Sequence, residues 1–154
     1  MALSKLDSLY RAVILDHSSH PHHHGSLAGK TPLILNNPTC GDVIQLTVEL
    51  KDGEVKDIAF SGSGCSISTA SASMMTDLVI GQTVQRVYEL AENFSRLVQG
   101  QQVEDLKSLG EAAFLSGVAK FPSRIKCATL SWNALKKAIE ADGFAQEILS
   151  CHEE

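Results

Sequence analysis

A chain of 154 residues, 44% of them hydrophobic, is long enough for one compact domain and short for two, and its composition excludes a disordered chain. Thirteen basic against eighteen acidic residues leave a formal charge of −5, whereas a nucleic-acid binder needs a basic face to displace counterions. No apolar run is long enough to span a bilayer and the N-terminus lacks a basic-then-apolar export pattern, so the expectation is a cytoplasmic protein with neither nucleic acid nor membrane as partner. In that reducing compartment four cysteines point to ligands or nucleophiles rather than to disulfides.

Leu6, Leu9, Tyr10, Val13 and Ile14 recur at three- and four-residue intervals and predict an amphipathic helix opened by Ser4 or Asp7. It runs into residues 16–25, where Pro21 and Gly25 force a turn and five of the six histidines collect. Histidine-rich tracts offer donors to zinc or nickel, but this one lacks a helical i, i+4 ligand pair, and the expectation for His17 to His24 is an exposed, solvated loop.

A loop then ends in Asn37-Pro38-Thr39-Cys40-Gly41-Asp42, which sets a thiol and a carboxylate two residues apart on a bend. Ile44, Leu46, Val48 and Leu50 alternate with polar residues, the period of a half-buried strand. Asp52-Gly53 supplies a hairpin turn and Ile58 and Phe60 continue the pattern on a return strand, one face buried and one wet. The return strand leaves through Gly62 and Gly64 to Cys65, so Cys40 and Cys65 flank one end of the hairpin although far apart in sequence.

Cys65 opens a helix whose inner stripe is Ile67, Ala70, Ser71, Met74 and Leu78, and the positive end of the helix dipole favours negative charge there. Thr83 caps the next helix, with Val87, Leu90, Ala91, Phe94 and Leu97 inward and Gly100 at its end. One or two short helical pieces follow between Leu106 and Val118, and Glu89, Glu92, Glu104 and Glu111 read as solvated faces. After Phe121-Pro122, Ser123 caps a last helix that carries Cys127 in its first turn and Leu130, Ala134, Leu135, Ala138 and Ile139 on its inner face.

Cys40, Asp42, Cys65 and Cys127 therefore form a candidate metal site, since three thiolates and a carboxylate from separate segments can close a four-ligand set for zinc or iron. The competing reading, three small core cysteines, fits poorly with positions at helix starts and in a Pro/Gly-bounded loop. Three thiolates and a carboxylate around a dication leave a charge of −2, which Arg124, three residues before Cys127 on the same helical face, is placed to offset. Lys126 can assist; the alternative for Arg124 is an ordinary surface arginine. Cys151 lies in the polar tail at 144–154 and reads as a bystander. Dispersed ligands with one oxygen donor suit a site that opens, letting Cys40 act as a nucleophile that accepts sulfur, or letting a cluster be handed on.

Asp16-His17 with Pro21 and Gly25, then the Cys40-Gly41-Asp42 motif, Gly64-Cys65 before a Ser/Ala-rich helix, and Arg124-Ile125-Lys126-Cys127 together resemble the IscU/SufU/NifU-N family of iron–sulfur cluster assembly proteins. The resemblance covers most of residues 1–154, read as a single domain. It implies an α+β fold, a small antiparallel sheet of the hairpin plus a third strand packed against several helices. It also implies a metal or cluster site at Cys40, Asp42, Cys65 and Cys127. The scaffold branch has a histidine where Lys126 stands and a Leu-Pro-Pro-Val-Lys motif where this chain reads Phe121-Pro122-Ser123-Arg124-Ile125-Lys126. These departures, and a longer segment between Cys65 and Cys127, are similar to the SufU branch. That likeness implies bound zinc, persulfide sulfur received by Cys40 from a SufS-type cysteine desulfurase, Arg124 steadying the charge, and downstream cluster-assembly proteins as partners. Within the family the alternative is a scaffold on which a labile iron–sulfur cluster is assembled and passed on.

Overall fold

The structure is a computed structural model that describes residues 2–37 and 41–141, with side chains from residue 11 onward. The predicted site residue Cys40 and the polar tail with Cys151 lie outside the described residues. Helix α1 (Ala2–Ser19) is followed by strands β1 (Leu33–Asn37), β2 (Asp42–Lys51) and β3 (Glu54–Ser63). Helices α2 (Ser66–Val79), α3 (Val84–Val98) and α4 (Pro122–Ala141) follow, with a tight 3-10 stretch, Leu106–Lys120, before α4. The fold is α+β. Its sheet is antiparallel in the order β1-β2-β3, with Leu33 opposite Leu46 and Asn37 opposite Asp42, and Leu46 opposite Phe60 on the other side.

The hairpin between β2 and β3 turns at Asp52 and Gly53, both at positive φ (55° and 77°), the pair of left-handed residues that matches the twist of the strands. Leu46, Val48, Val55, Ile58 and Phe60 are buried. The opposite face is drier than strict alternation predicts: Thr47 is buried, its hydroxyl accepting from the Leu27 amide at 3.0 Å and donating to the Ala59 carbonyl at 3.4 Å. The chain after α1 therefore covers part of the face expected to be wet. The third strand is β1, in a stretch read from the sequence as loop; with only five residues, its outward Ile34 hides the period.

Helix α2 is the central helix. Every residue from Ala70 to Thr76 is buried, because Ala70, Ser71, Ala72 and Ser73 let neighbours approach on all sides rather than along one stripe. Helices α1 and α4, the 3-10 stretch and β3 all pack against it. On α3, Val87, Leu90, Ala91, Phe94 and Leu97 are buried as the periodicity predicts, and the Thr83 hydroxyl accepts from the Arg86 amide at 3.1 Å. Phe94 stacks on Trp132 of α4 with centroids 5.1 Å apart and an interplanar angle of 21°. The 3-10 stretch is two pieces broken at Gly110, whose φ of 51° no regular helix accommodates. Among the described residues no helix is long and apolar enough to cross a membrane.

Three local expectations need correction. Residues 16–19 belong to α1 rather than to a loop, and His17 is buried, 2% exposed; His20, at 82%, is solvated as predicted. Glu111 is not simply a solvated face, since it accepts from His17 at 2.9 Å. Helix α4 begins at Pro122 instead of being capped by Ser123, because proline's fixed φ suits the first helical position. Cys127 consequently falls in the second turn.

Candidate metal centre

Asp42 starts β2, Cys65 follows β3 as the residue capping α2, and Cys127 lies on α4. The antiparallel pairing of β2 and β3 places Val43 opposite Ser63, which brings the carboxylate of Asp42 to the chain just before α2. Its Oδ1 accepts the Cys65 amide at 3.0 Å, and its Oδ2 lies 4.0 Å from Cys65 Sγ. The carboxylate so occupies one of the amides that a helix start leaves unbonded. Cys65 itself is extended (φ −73°, ψ 170°), and the Ser68 hydroxyl donates to its carbonyl at 3.0 Å.

Helix α4 delivers Cys127 from the other side. The Ser71 hydroxyl donates to the Ala128 carbonyl at 2.5 Å, tying α2 to α4 one residue from the cysteine, and Cys127 is fully buried. One ligand atom from each of Asp42, Cys65 and Cys127 lies within 4.8 Å of the others. Around a tetrahedral zinc, neighbouring sulfur and oxygen donors stand about 3.5–4 Å apart, so the three need close by no more than about 1.3 Å to share one ion. Two soft sulfurs and one hard oxygen fit zinc or ferrous iron, and leave room for a fourth donor.

Arg124, one turn before Cys127, is exposed. A hydrogen bond to Cys127, then the negative charge of Cys65 and Cys127, hold its guanidinium above the usual arginine range. The planar fork can reach both sulfurs and offset the charge they carry as thiolates.

Of the predicted site residues, the structure thus assembles Asp42, Cys65, Cys127 and Arg124. Cys40 falls outside the described residues. On either side of it, Asn37 and Asp42 are register partners and the Gly41 amide donates to the Asn37 carbonyl at 2.8 Å.

Sequence reasoning assigned Gly64 only backbone freedom, and the structure gives it a more specific task. A Cβ there would stand 3.0 Å from Asp42 Oδ1 and closer still to the Ser68 hydroxyl. Gly64→Ala is therefore expected to push the carboxylate off the Cys65 amide and cost about 1–3 kcal/mol. Differential scanning calorimetry checks it, at about 2–4 °C of thermal midpoint per kcal/mol for a chain of this size. An unchanged midpoint would mean that Asp42 moves aside freely.

Residues 9–128 match the family described as NifU-like N terminal domain. The chain is similar to the iron-sulfur cluster assembly scaffold protein IscU of Streptococcus pyogenes serotype M1, 60% identical over 96% of this chain and 93% of that protein. It is 48% identical to the zinc-dependent sulfurtransferase SufU of Bacillus subtilis, over 88% and 92%. Among solved structures, a putative iron-sulfur cluster assembly scaffold protein for the SUF system from Fervidobacterium islandicum superposes with a TM-score of 0.77 at 30% identity, over 82% of this chain and 93% of that one. With the three-stranded sheet, the convergent Asp42, Cys65 and Cys127, and these likenesses together, the chain belongs to the NifU-N/IscU family of iron–sulfur cluster assembly proteins.

Proposed function

We propose that this protein is a zinc-dependent sulfurtransferase of the SufU kind, which accepts persulfide sulfur from a SufS-type cysteine desulfurase and passes it to downstream cluster-assembly proteins in the cytoplasm. The observation that carries the reading is the convergence of Asp42, Cys65 and Cys127, with the positive charge of Arg124 one turn from Cys127 on α4. Lys126, in the place of the scaffold branch's histidine, and the likeness to a protein named as a zinc-dependent sulfurtransferase point the same way.

Asp42, Cys65 and Cys127 would hold the zinc with Cys40 as the remaining donor. When bound, zinc supplies Lewis acidity that favours the thiolate form of its sulfur ligands. Cys40 is the acceptor. Its thiolate attacks the outer sulfur of the desulfurase persulfide; a new S–S bond forms, the donor's S–S bond breaks, and the electron pair leaves on the donor cysteine as a thiolate. One persulfide is consumed and one formed, with no net oxidation. Arg124 steadies the negative charge passing between the two proteins. Cys127, fully buried, acts as a holder rather than an acceptor, and the Cys65 amide fixes Asp42.

The test is the cysteine turnover rate of a SufS-type desulfurase, without reductant, with and without this protein loaded with zinc. Marked acceleration is expected. The 60% identity to a protein named as an assembly scaffold favours a second reading, in which the same four residues hold a labile iron–sulfur cluster. No acceleration with zinc demonstrably bound would favour that scaffold, and anaerobic addition of iron and sulfide would then yield coloured protein.

A further inference from the structure

His22, His23 and His24 are exposed as expected, yet the segment that carries them is tied down through its backbone. The Gly25 amide donates to the Phe60 carbonyl at 2.8 Å and the Phe60 amide to the His23 carbonyl at 3.0 Å, so β3 grips the backbone on both sides of His24. The His24 ring packs edge-on against Phe60. At the other end the His22 amide donates to the Ser73 hydroxyl of α2 at 2.8 Å. His23 takes a positive φ of 57° where the chain passes from its contact with α2 to that with β3.

This backbone sets His22 beside His17, with ring centroids 4.6 Å apart, and over Asp77 of α2. His22 Nδ1 lies 2.6 Å from Asp77 Oδ2, and His23 Nδ1 lies 3.5 Å from Asp77 Oδ1. One ligand atom from each of His17, His22 and Asp77 lies within 4.8 Å of the others. His17 is held at both nitrogens, Nε2 by Glu111 at 2.9 Å and Nδ1 by the Ser73 hydroxyl at 2.7 Å. A carboxylate only accepts, so Nε2 carries the proton and, in the neutral ring, Nδ1 is the lone-pair nitrogen. A histidine whose far N–H rests on a carboxylate is the arrangement that orients metal-binding imidazoles.

We propose that His17, His22 and Asp77 form a second binding site for a zinc-like divalent cation, separate from the cysteine centre. Asp77 comes twelve positions after Cys65 along the axis of α2, which at the helical rise puts the two sites roughly 18 Å apart. The donors are His17 Nδ1, released from the Ser73 hydroxyl, His22 Nδ1 and the Asp77 carboxylate. His22 coordinates as the neutral tautomer protonated at Nε2, so no proton remains at Nδ1 between it and Asp77 and the cation takes that place. Two neutral imidazoles and one carboxylate leave a charge of +1 on the bound dication, which Glu111 balances. The set is nitrogen and oxygen, open at a fourth position, where His23 or water completes a tetrahedron. Such a site pins the end of α1 and the 20–25 segment to α2, leaving the cysteine centre's ligands untouched.

The test is metal stoichiometry and spectrum on the full chain, stripped with chelator. Zinc titrated against a chromophoric chelator is expected to show two equivalents in the native protein and one in the double variant His22→Gln/Asp77→Asn, both positions being solvent-accessible. Cobalt separates the sites: the thiolate charge-transfer band of the cysteine centre stays the same in that variant, while the weaker ligand-field absorption of the second ion disappears. Glu111→Gln, at an exposed position, is expected to weaken the second site alone by about 10–100-fold. A single equivalent in the native protein, or two retained in the double variant, would overturn the site. So would loss of the second equivalent in His20→Ala, since His20 is no part of the cluster.

Discussion

Cys40→Ser is expected to reduce desulfurase turnover in the presence of this protein to the rate of the desulfurase alone, while the protein stays folded. A serine hydroxyl cannot attack a persulfide at neutral pH as a thiolate does, and one exchanged atom leaves the backbone unchanged. The strands on either side are secured independently by the pairing of Asn37 with Asp42 and by the Gly41 amide on the Asn37 carbonyl. Zinc is expected to remain, bound more weakly, because Asp42, Cys65 and Cys127 still supply the three protein ligands with which open zinc sites function. Mass spectrometry after incubation with desulfurase and cysteine gives the direct readout: the native protein gains one sulfur and the variant none. If the variant still gains sulfur and Cys65→Ser does not, the acceptor is the half-buried Cys65 and the roles of the two cysteines are exchanged. The comparison also separates transfer from scaffolding, since a scaffold variant would fail at holding a cluster rather than at accepting sulfur.

The convergence of Asp42, Cys65 and Cys127 was legible in the sequence because its signals are local. A glycine next to Asp42 and another before Cys65 announce bends, and alternation across Asp52-Gly53 pairs the two strands, although a bulge at Glu49 and Leu50, which alternation does not announce, shifts the register by one residue before the two ends meet. Arg124 could be placed beside Cys127 by helical spacing alone. What stayed hidden depends on contacts between distant elements. His17 and Glu111 stand 94 positions apart and meet because α1 and the 3-10 stretch share the surface of α2, which no periodicity records. The same holds for Gly64, whose missing side chain matters only because Asp42 arrives from another strand. The third strand was expected, but its place at β1 was not, for a different reason. At an edge, an exposed Ile34 between two half-buried leucines looks like an apolar loop. Cys127 slipped from first turn to second because Pro122 competes with Ser123 for the start of α4.

Phe94→Ala is expected to destabilise the metal-free protein by about 3–5 kcal/mol, a large share of the roughly 5–15 kcal/mol that holds a domain together. Phe94 is wholly buried and stacked on Trp132, so its removal opens a cavity between α3 and α4 and loses a ring contact besides. At about 2–4 °C per kcal/mol, the thermal midpoint should fall by roughly 6–20 °C. The variant also tests how firmly the metal ligands depend on this packing. Trp132 lies five residues beyond Cys127 on α4, so the stack holds the helix that presents the buried sulfur. Zinc at a thousand times its dissociation constant returns about 4 kcal/mol to any state that binds it, enough to offset most of the loss if the ligands still converge. Scanning calorimetry with and without zinc therefore has two informative outcomes. A zinc-dependent rise as large as in the native protein would mean that Asp42, Cys65 and the Ser71 bond to the Ala128 carbonyl suffice to place Cys127. A rise that is lost would mean that the aromatic stack between α3 and α4 sets the position of the last sulfur.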